Sequence, residues 1–183
     1  NNVDYSSLVT TPKSGFSGSK PEFSIDASVL GAMRAGYIKL VSTEDGVGVN
    51  SKGILISESD DISISSEGEV HLAKVVSEKD IRVNAKETVS LNDLVQANGQ
   101  LNLNGNGIEL NSADVVASEA MLMAEDDIVI DDSKLGVSQN LVVQSSGDFD
   151  VSDSELLSKG DLNIDANSLR QSGQMQSNGT III

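Results

Sequence analysis

Short steps of the form apolar–x–apolar recur along this chain, and their spacing is nearly constant. One series runs Ile38/Leu40, Ile62/Ile64, Ile81/Val83, Leu101/Leu103, a step within Met121 to Ala124, Leu141/Val143, Leu162/Ile164 and Ile181/Ile183. The intervals are 24, 19, 20, about 20, about 20, 21 and 19 residues. A second series runs Val47/Val49, Val70/Leu72, Val89/Leu91, Ile108/Leu110, Ile128/Ile130, Phe149/Val151 and Leu169. A third and weaker one runs Ile54/Ile56, Val75, Leu94, Val115, Leu135, Leu156 and Met175. Alternation with period two is the signature of a strand, and helical spacing is not sustained anywhere after residue 36.

Three strand-like steps phased on one period of about 20 residues predict an all-β, right-handed parallel β-helix with three short strands per coil. A leucine-rich repeat has a similar length, but its consensus spacing and Asn position do not fit. An antiparallel meander would not need the same phasing in every coil. Stacking at about 4.8 Å per coil gives a rod of roughly 35 to 40 Å for residues 36–183. A small residue is expected at the corner before each new first strand: Ser57, Ser77, Ala97, Ser118, Ser138, Ser158 and Ser177. The pairs Asn98-Gly99, Lys159-Gly160 and Asn178-Gly179 are expected to supply positive φ there.

Residues 1–35 fit the period poorly and predict an irregular leading section, with 36–183 forming the repeats. Thr10, Thr11, Pro12, Lys13, Ser14 and Gly15 read as a loop, as do Gly18, Ser19, Lys20 and Pro21. Phe23 and Ile25 are expected to start the first regular strand. The chain opens on Asn1 rather than Met, so a fragment or processed product is expected. Ile181-Ile182-Ile183 would begin a further coil, so a longer rod with the same period is expected, with weak end-to-end association through that apolar edge.

Composition sharpens this picture. Aromatic residues make up only 3% of the chain and Trp is absent, so small aliphatic side chains must build the core in many equivalent places. The formal net charge is −16, from 28 acids and 12 bases. That balance argues against nucleic acid, whose phosphates need clustered Lys and Arg. It also disfavours an anionic membrane surface. Without cysteine there are no disulfides, zinc ribbons or thiol chemistry. No apolar run of about 18 residues is present to span a bilayer as a helix.

Candidate chemistry is sparse. His71 is the only histidine, and alternation between Val70 and Leu72 points it outward, without a partner that the sequence places. Glu125-Asp126-Asp127 and Asp131-Asp132 flank one strand, and Asp148, Asp150 and Asp153 follow one coil later. Neither the EF-hand pattern nor the Gly-Gly-x-Gly-x-Asp calcium repeat fits them. Arg34, Arg82 and Arg170 fall on different coil phases, which argues against the poised base of a polysaccharide lyase. No catalytic, cofactor-binding or metal site, and no cofactor, is expected. Thr is too sparse for the Thr-x-Thr face of a surface-binding solenoid.

The stretch Ile25-Asp26-Ala27-Ser28-Val29-Leu30-Gly31-Ala32-Met33-Arg34-Ala35-Gly36-Tyr37-Ile38-Lys39-Leu40 is more specific than the repeat. With Val41-Ser42-Thr43-Glu44-Asp45-Gly46-Val47-Gly48-Val49-Asn50-Ser51-Lys52-Gly53 it resembles the end of the secretion domain in filamentous-haemagglutinin-like exoproteins. Ala32 and Arg34 stand where that family often has Gly and an aromatic residue, and the Asn-Pro-Asn motifs of the amino-terminal secretion domain are missing. The resemblance implies a piece that begins late in, or just after, that domain. It further implies a structural, non-enzymatic rod of a two-partner-secreted adhesin or contact-dependent growth-inhibition exoprotein. Such a rod is exported by an outer-membrane β-barrel transporter to the surface of a Gram-negative bacterium, where it projects a distal binding or toxic region. The alternative is that this segment itself binds a receptor on a host or neighbouring cell.

Overall fold

The computed structural model describes residues 2–4, 9–11, 20–27 and 31–183. From Phe23 onward the described chain is all-β and winds into a parallel β-solenoid of about eight turns, with no helix among the described residues. Each strand hydrogen-bonds to its equivalent one turn earlier and one turn later, and every such pair is parallel. A separate antiparallel pair joins Asn2–Asp4 to Val9–Thr11. Thr10 and Thr11, expected in a loop, are therefore in a strand. Pro12 to Gly15, Gly18, Ser19 and Ser28 to Leu30 lie outside the described residues, while Lys20 and Pro21 are irregular.

Three faces build the coil. The first is an eight-stranded sheet that starts at Ile38–Ser42 and continues through Ile62–Ser66, Ile81–Ala85 and Gln100–Gly105 to Ile181–Ile182. The second and third faces share one sheet, because Gly48–Ser57, Val70–Ser77, Val89–Ala97 and Ile108–Ala117 each run through the corner between them. In later coils this long strand divides, as in Ile128–Asp131 followed by Lys134–Val137. Phe23–Asp26 and Ala32–Ala35 pair in parallel with the two halves of Gly48–Ser57.

The interior is a set of columns parallel to the rod axis. On the second face Val49, Val70, Val89, Ile108, Ile128 and Phe149 stack on one another, all without solvent exposure. Burying each such side chain contributes about 1.5–3 kcal/mol. β-Branched residues dominate because one preferred rotamer repeats from coil to coil without conflict. Neighbouring coils bury each other, so no coil has a core of its own.

Alternation located most of these columns and misplaced a few steps. The first-face pair in the fifth coil is Ala120/Leu122, stacked on Leu101/Leu103, so Met121 and Met123 point outward. Val49 rather than Val47 lies beneath Val70, because the first coil carries extra residues in its first corner around Gly46, whose φ is +67°. The third-face column uses Leu55 and Val95, and the neighbouring Ile54, Ile56 and Leu94 face outward. Both misplacements follow a corner where the register shifts, between Ser51 and Ile54 and between Leu91 and Val95. At the second of these, Asp93 is left-handed with φ 83°. A left-handed residue breaks the alternation that counting assumes.

The left-handed residues Ser112, Asp132 and Asp153, at φ 53°, 45° and 46°, follow one another from coil to coil, while Asp93 pairs with Ala113, one residue beyond Ser112. Short polar side chains tolerate that conformation better than most. Gly99, Gly160 and Gly179 are not left-handed as expected. They are needed for close approach, since a Cβ would run into Asp80 Oδ1, Asn140 Oδ1 and Asp161 Oδ1 respectively. The small corner column also shifts by one in the middle of the rod, where Ala117 and Val137 replace Ser118 and Ser138.

Ile108 is fully buried between Val89 and Ile128, while Glu109 is exposed. Ile108→Asp should lose more than about 3 kcal/mol in denaturant unfolding, since it places an unpaired charge in a dry interior. Glu109→Gln should stay within about 0.5 kcal/mol. Equal losses would mean that the register is off by one residue and the two faces are exchanged.

Candidate functional site

At the corner preceding the first face, an Asp or Asn of one coil accepts a backbone N–H from the next. Asp80 Oδ1 takes Gln100 N–H at 2.8 Å, Asn140 Oδ1 takes Asp161 N–H at 2.9 Å, and Asp161 Oδ1 takes Thr180 N–H at 2.8 Å. At the next corner Asp127 Oδ1 takes Asp148 N–H at 2.7 Å. Each bond satisfies a corner amide that the strand ladder leaves unpaired.

Serine hydroxyls act between coils at the same places. Ser57 Oγ shares its hydrogen between the Gly36 and Asp60 carbonyls, each at 2.7 Å. Ser77, Ser158 and Ser177 repeat this pattern, each reaching a carbonyl in the coil below as well as one three residues ahead. In a second serine column at the end of the first face, Ser66 and Ser145 reach a carbonyl of the coil below, while Ser42 in the first coil bonds to the Val47 carbonyl of its own coil. Sequence reasoning read serine only as a small residue and missed this second column. Its signal is a Ser directly after the inward pair, two residues beyond Leu40, Ile64 and Val143.

The acidic clusters are largely consumed by architecture. Asp132 and Asp153 occupy left-handed corners, and Asp132 Oδ2 accepts Ser112 Oγ–H at 3.1 Å. Asp148 accepts Ser168 Oγ–H at 2.7 Å and pairs with Arg170 at 2.9 Å. Among the described residues, no group of three or more His, Asp or Glu side chains is arranged to hold a metal ion.

The three arginines do not converge on one site. Each pairs with an acid of a neighbouring coil, Arg34 with Glu58, Arg82 with Asp61 and Arg170 with Asp148, and Arg82 pairs also with Asp80 of its own coil. Burial alone would raise the Asp61 carboxyl. The Arg82 hydrogen bond, the Asp80 amide and the nearby positive charges outweigh it, and Asp61 is held below the usual carboxylate range. His71 faces outward and is half-buried, with Nε2 2.8 Å from Glu69 Oε2 and its ring edge-on to Phe23 at 5.5 Å. The structure thus supplies two neighbours for His71 that the sequence did not place. Beneath it, Asn50 Oδ1 and Ser51 Oγ are buried without a hydrogen-bond partner among the described residues. A shallow groove of about 470 Å³ lies on the third face, around Gly136.

A stack of near-identical coils whose polar groups are spent on holding neighbouring coils together defines a rod-type repeat segment. The chain belongs to the haemagglutinin repeat family, whose repeat matches residues 24–74, 73–130 and 125–183. This agrees with the resemblance to filamentous-haemagglutinin-like exoproteins read from residues 25–53. It is similar to the tRNA nuclease CdiA of Yersinia mollaretii, with 36% identity over 105 residues, which are 57% of this chain and 4% of that protein. It is similar to the 16S rRNA endonuclease CdiA of Enterobacter cloacae, with 37% identity over 101 residues, 55% of this chain and 3% of that protein. It is also similar to the protein adenylyltransferase and cysteine protease IbpA of Histophilus somni, with 29% identity over 102 residues, 55% of this chain and 2% of that protein. The matched region spans only a few hundredths of the length of these relatives, and the activities in their names are those of the whole proteins. No solved structure matches the chain.

Because the folded Asp61 titrates lower than an unfolded one, the stability it contributes is present above about pH 4 and is lost as pH falls through the lower folded value. Asp61→Asn keeps an oxygen for the Asp80 N–H but removes the charge and the second oxygen, which accepts from Arg82. Its melting temperature should lie below that of the parent at pH 7, and the gap should close in acid. A gap independent of pH would show that the Arg82 pairing adds nothing.

Proposed function

We propose that this chain is a structural, non-enzymatic rod segment of a large secreted surface adhesin or contact-dependent inhibition exoprotein, where it projects a distal binding or toxic region. One observation carries the reading. A chain made almost entirely of haemagglutinin repeats matches only 2 to 4% of the length of several much longer proteins, two named as nucleases and one as an adenylyltransferase and protease. A segment of that kind serves as spacer within a much longer molecule. Residues 36–183 form the regular rod, and 1–35 form the leading section that resembles the end of a secretion domain and whose strands Phe23–Asp26 and Ala32–Ala35 already pair with the first coil of the rod. The export partner is an outer-membrane β-barrel transporter of the two-partner type, and the site of action is the surface of a Gram-negative cell. No nucleic acid, cofactor or metal takes part, in keeping with the charge of −16 and the paired arginines.

A second reading, that this segment is itself an adhesive module for a host or neighbouring-cell receptor, is favoured by the exposed apolar groove on the third face. Binding of the isolated 183-residue chain to target cells separates the two. The rod reading expects binding at background level while the full exoprotein binds. Binding comparable to that of the full exoprotein would replace it with the second.

A further inference from the structure

Gly136 is out of place in this fold. It sits within the third-face strand Lys134–Val137, and glycine in a strand interior costs stability. Nearly every other described glycine has a structural reason: a left-handed φ at Gly31 and Gly46, or a close neighbour where a Cβ would stand. At Gly136 φ is not left-handed, and a Cβ would meet nothing within 4 Å. The solenoid therefore does not require the missing side chain.

What the glycine creates is a pit. Its neighbours in the outward column are Val116 one coil below and Leu157 one coil above. Both are exposed apolar side chains, at 47% and 36% of full exposure. They form two walls about two coil spacings apart, roughly 10 Å, which is room for one inserted side chain between them. Glycine within a strand often marks the place where a ligand or another backbone approaches closely. The charged residues that line the groove are Lys159 and Glu155, and Lys134 lies just outside it. Lys134 is 3.7 Å from Glu155, and Lys159 makes no ion pair among the described residues. Glu155 is thus matched by Lys134 from outside the groove, and Lys159 is left as the unmatched charge within it. The backbone of the strand is already paired on both sides, so an occupant cannot add a strand and is held by side chains alone.

We propose that the groove at Gly136 is a docking socket for a peptide segment of a partner protein that presents one large apolar side chain beside a carboxylate. The apolar side chain enters between Val116 and Leu157, and the carboxylate meets Lys159. This inference rests on the second reading above and names its site.

The test titrates the isotope-labelled 183-residue chain with the blocked tetrapeptide Gly-Leu-Asp-Gly and follows backbone amide shifts. Saturable shifts are expected at Val116, Gly136 and Leu157. Replacing the Leu of the peptide with Ala should weaken binding about tenfold or more, and replacing its Asp with Lys about two- to fivefold. Gly136→Leu fills open space, so the melting temperature should hold while the shifts disappear. Lys159→Glu should reverse the preference toward the Lys peptide, a gain that misfolding cannot produce. Equal or tighter binding of the Lys peptide to the parent chain would overturn the proposal. So would an absence of saturable shifts, or shifts at the groove that grow with chain concentration alone, which would assign it to a second copy. Cell binding that survives Gly136→Leu would overturn this socket while leaving the adhesive reading in place.

Discussion

Every coil of this rod must lie in register on the one before it. A coil of about 20 residues offers each neighbour only a thin layer of apolar side chains, too little to hold a fold by itself. Parallel pairing along three faces places Val89 on Val70, Ile108 on Val89 and Ile128 on Ile108. A slip of one residue would bring Glu109 or Val129 into a column of fully buried aliphatics. Register is thus a single cooperative constraint, and the rest of the structure is arranged around it.

The corners show the consequence most clearly. Strands can repeat by alternation alone, but corners leave amides and carbonyls without ladder partners. The chain closes them with side chains that reach across one coil, Asp80 to Gln100, Asn140 to Asp161 and Ser158 to Gln139. The same reach excludes a Cβ at Gly99 and Gly160, so an Asx in one coil dictates a glycine in the next. The acid-rich composition has a similar origin, since left-handed corners and amide acceptors both favour aspartate. A surface built this way is hydrophilic and repetitive, which suits a segment whose role is extension. The third face around Gly136 departs from that pattern, and it does so where the fold makes no demand.

Periodicity made the architecture legible before any coordinates. Parallel stacking, the 20-residue turn and most of the inward columns were present in the spacing of Val, Ile and Leu, and the family resemblance in the particular residues of the stretch 25–53. Errors clustered where alternation does not apply. Counting through Asp93 put Leu94 inside in place of Val95, because a left-handed residue reverses the faces. Val47 was paired with Val70 because the surplus residues of the first corner carry no periodic signal. Glycines were read as positive-φ residues when several are there to clear a carboxylate on another coil. The outward apolar groove was hidden for a related reason: Val116, Gly136 and Leu157 are about 20 residues apart, and nothing in the sequence marks them as a group until the coils are stacked.

The central claim is that stability resides in contacts between adjacent coils. Double-mutant cycles in denaturant unfolding test it directly, with Ile108→Val combined first with Ile128→Val, one coil away, and then with Phe149→Leu, two coils away. Ile108 stacks on Ile128, and Ile128 on Phe149. The account predicts a coupling of roughly 0.5 kcal/mol or more for the adjacent pair, and additivity within about 0.3–0.5 kcal/mol for the pair separated by a coil. Equal coupling in both pairs, or none in the adjacent one, would contradict a rod held together coil by coil.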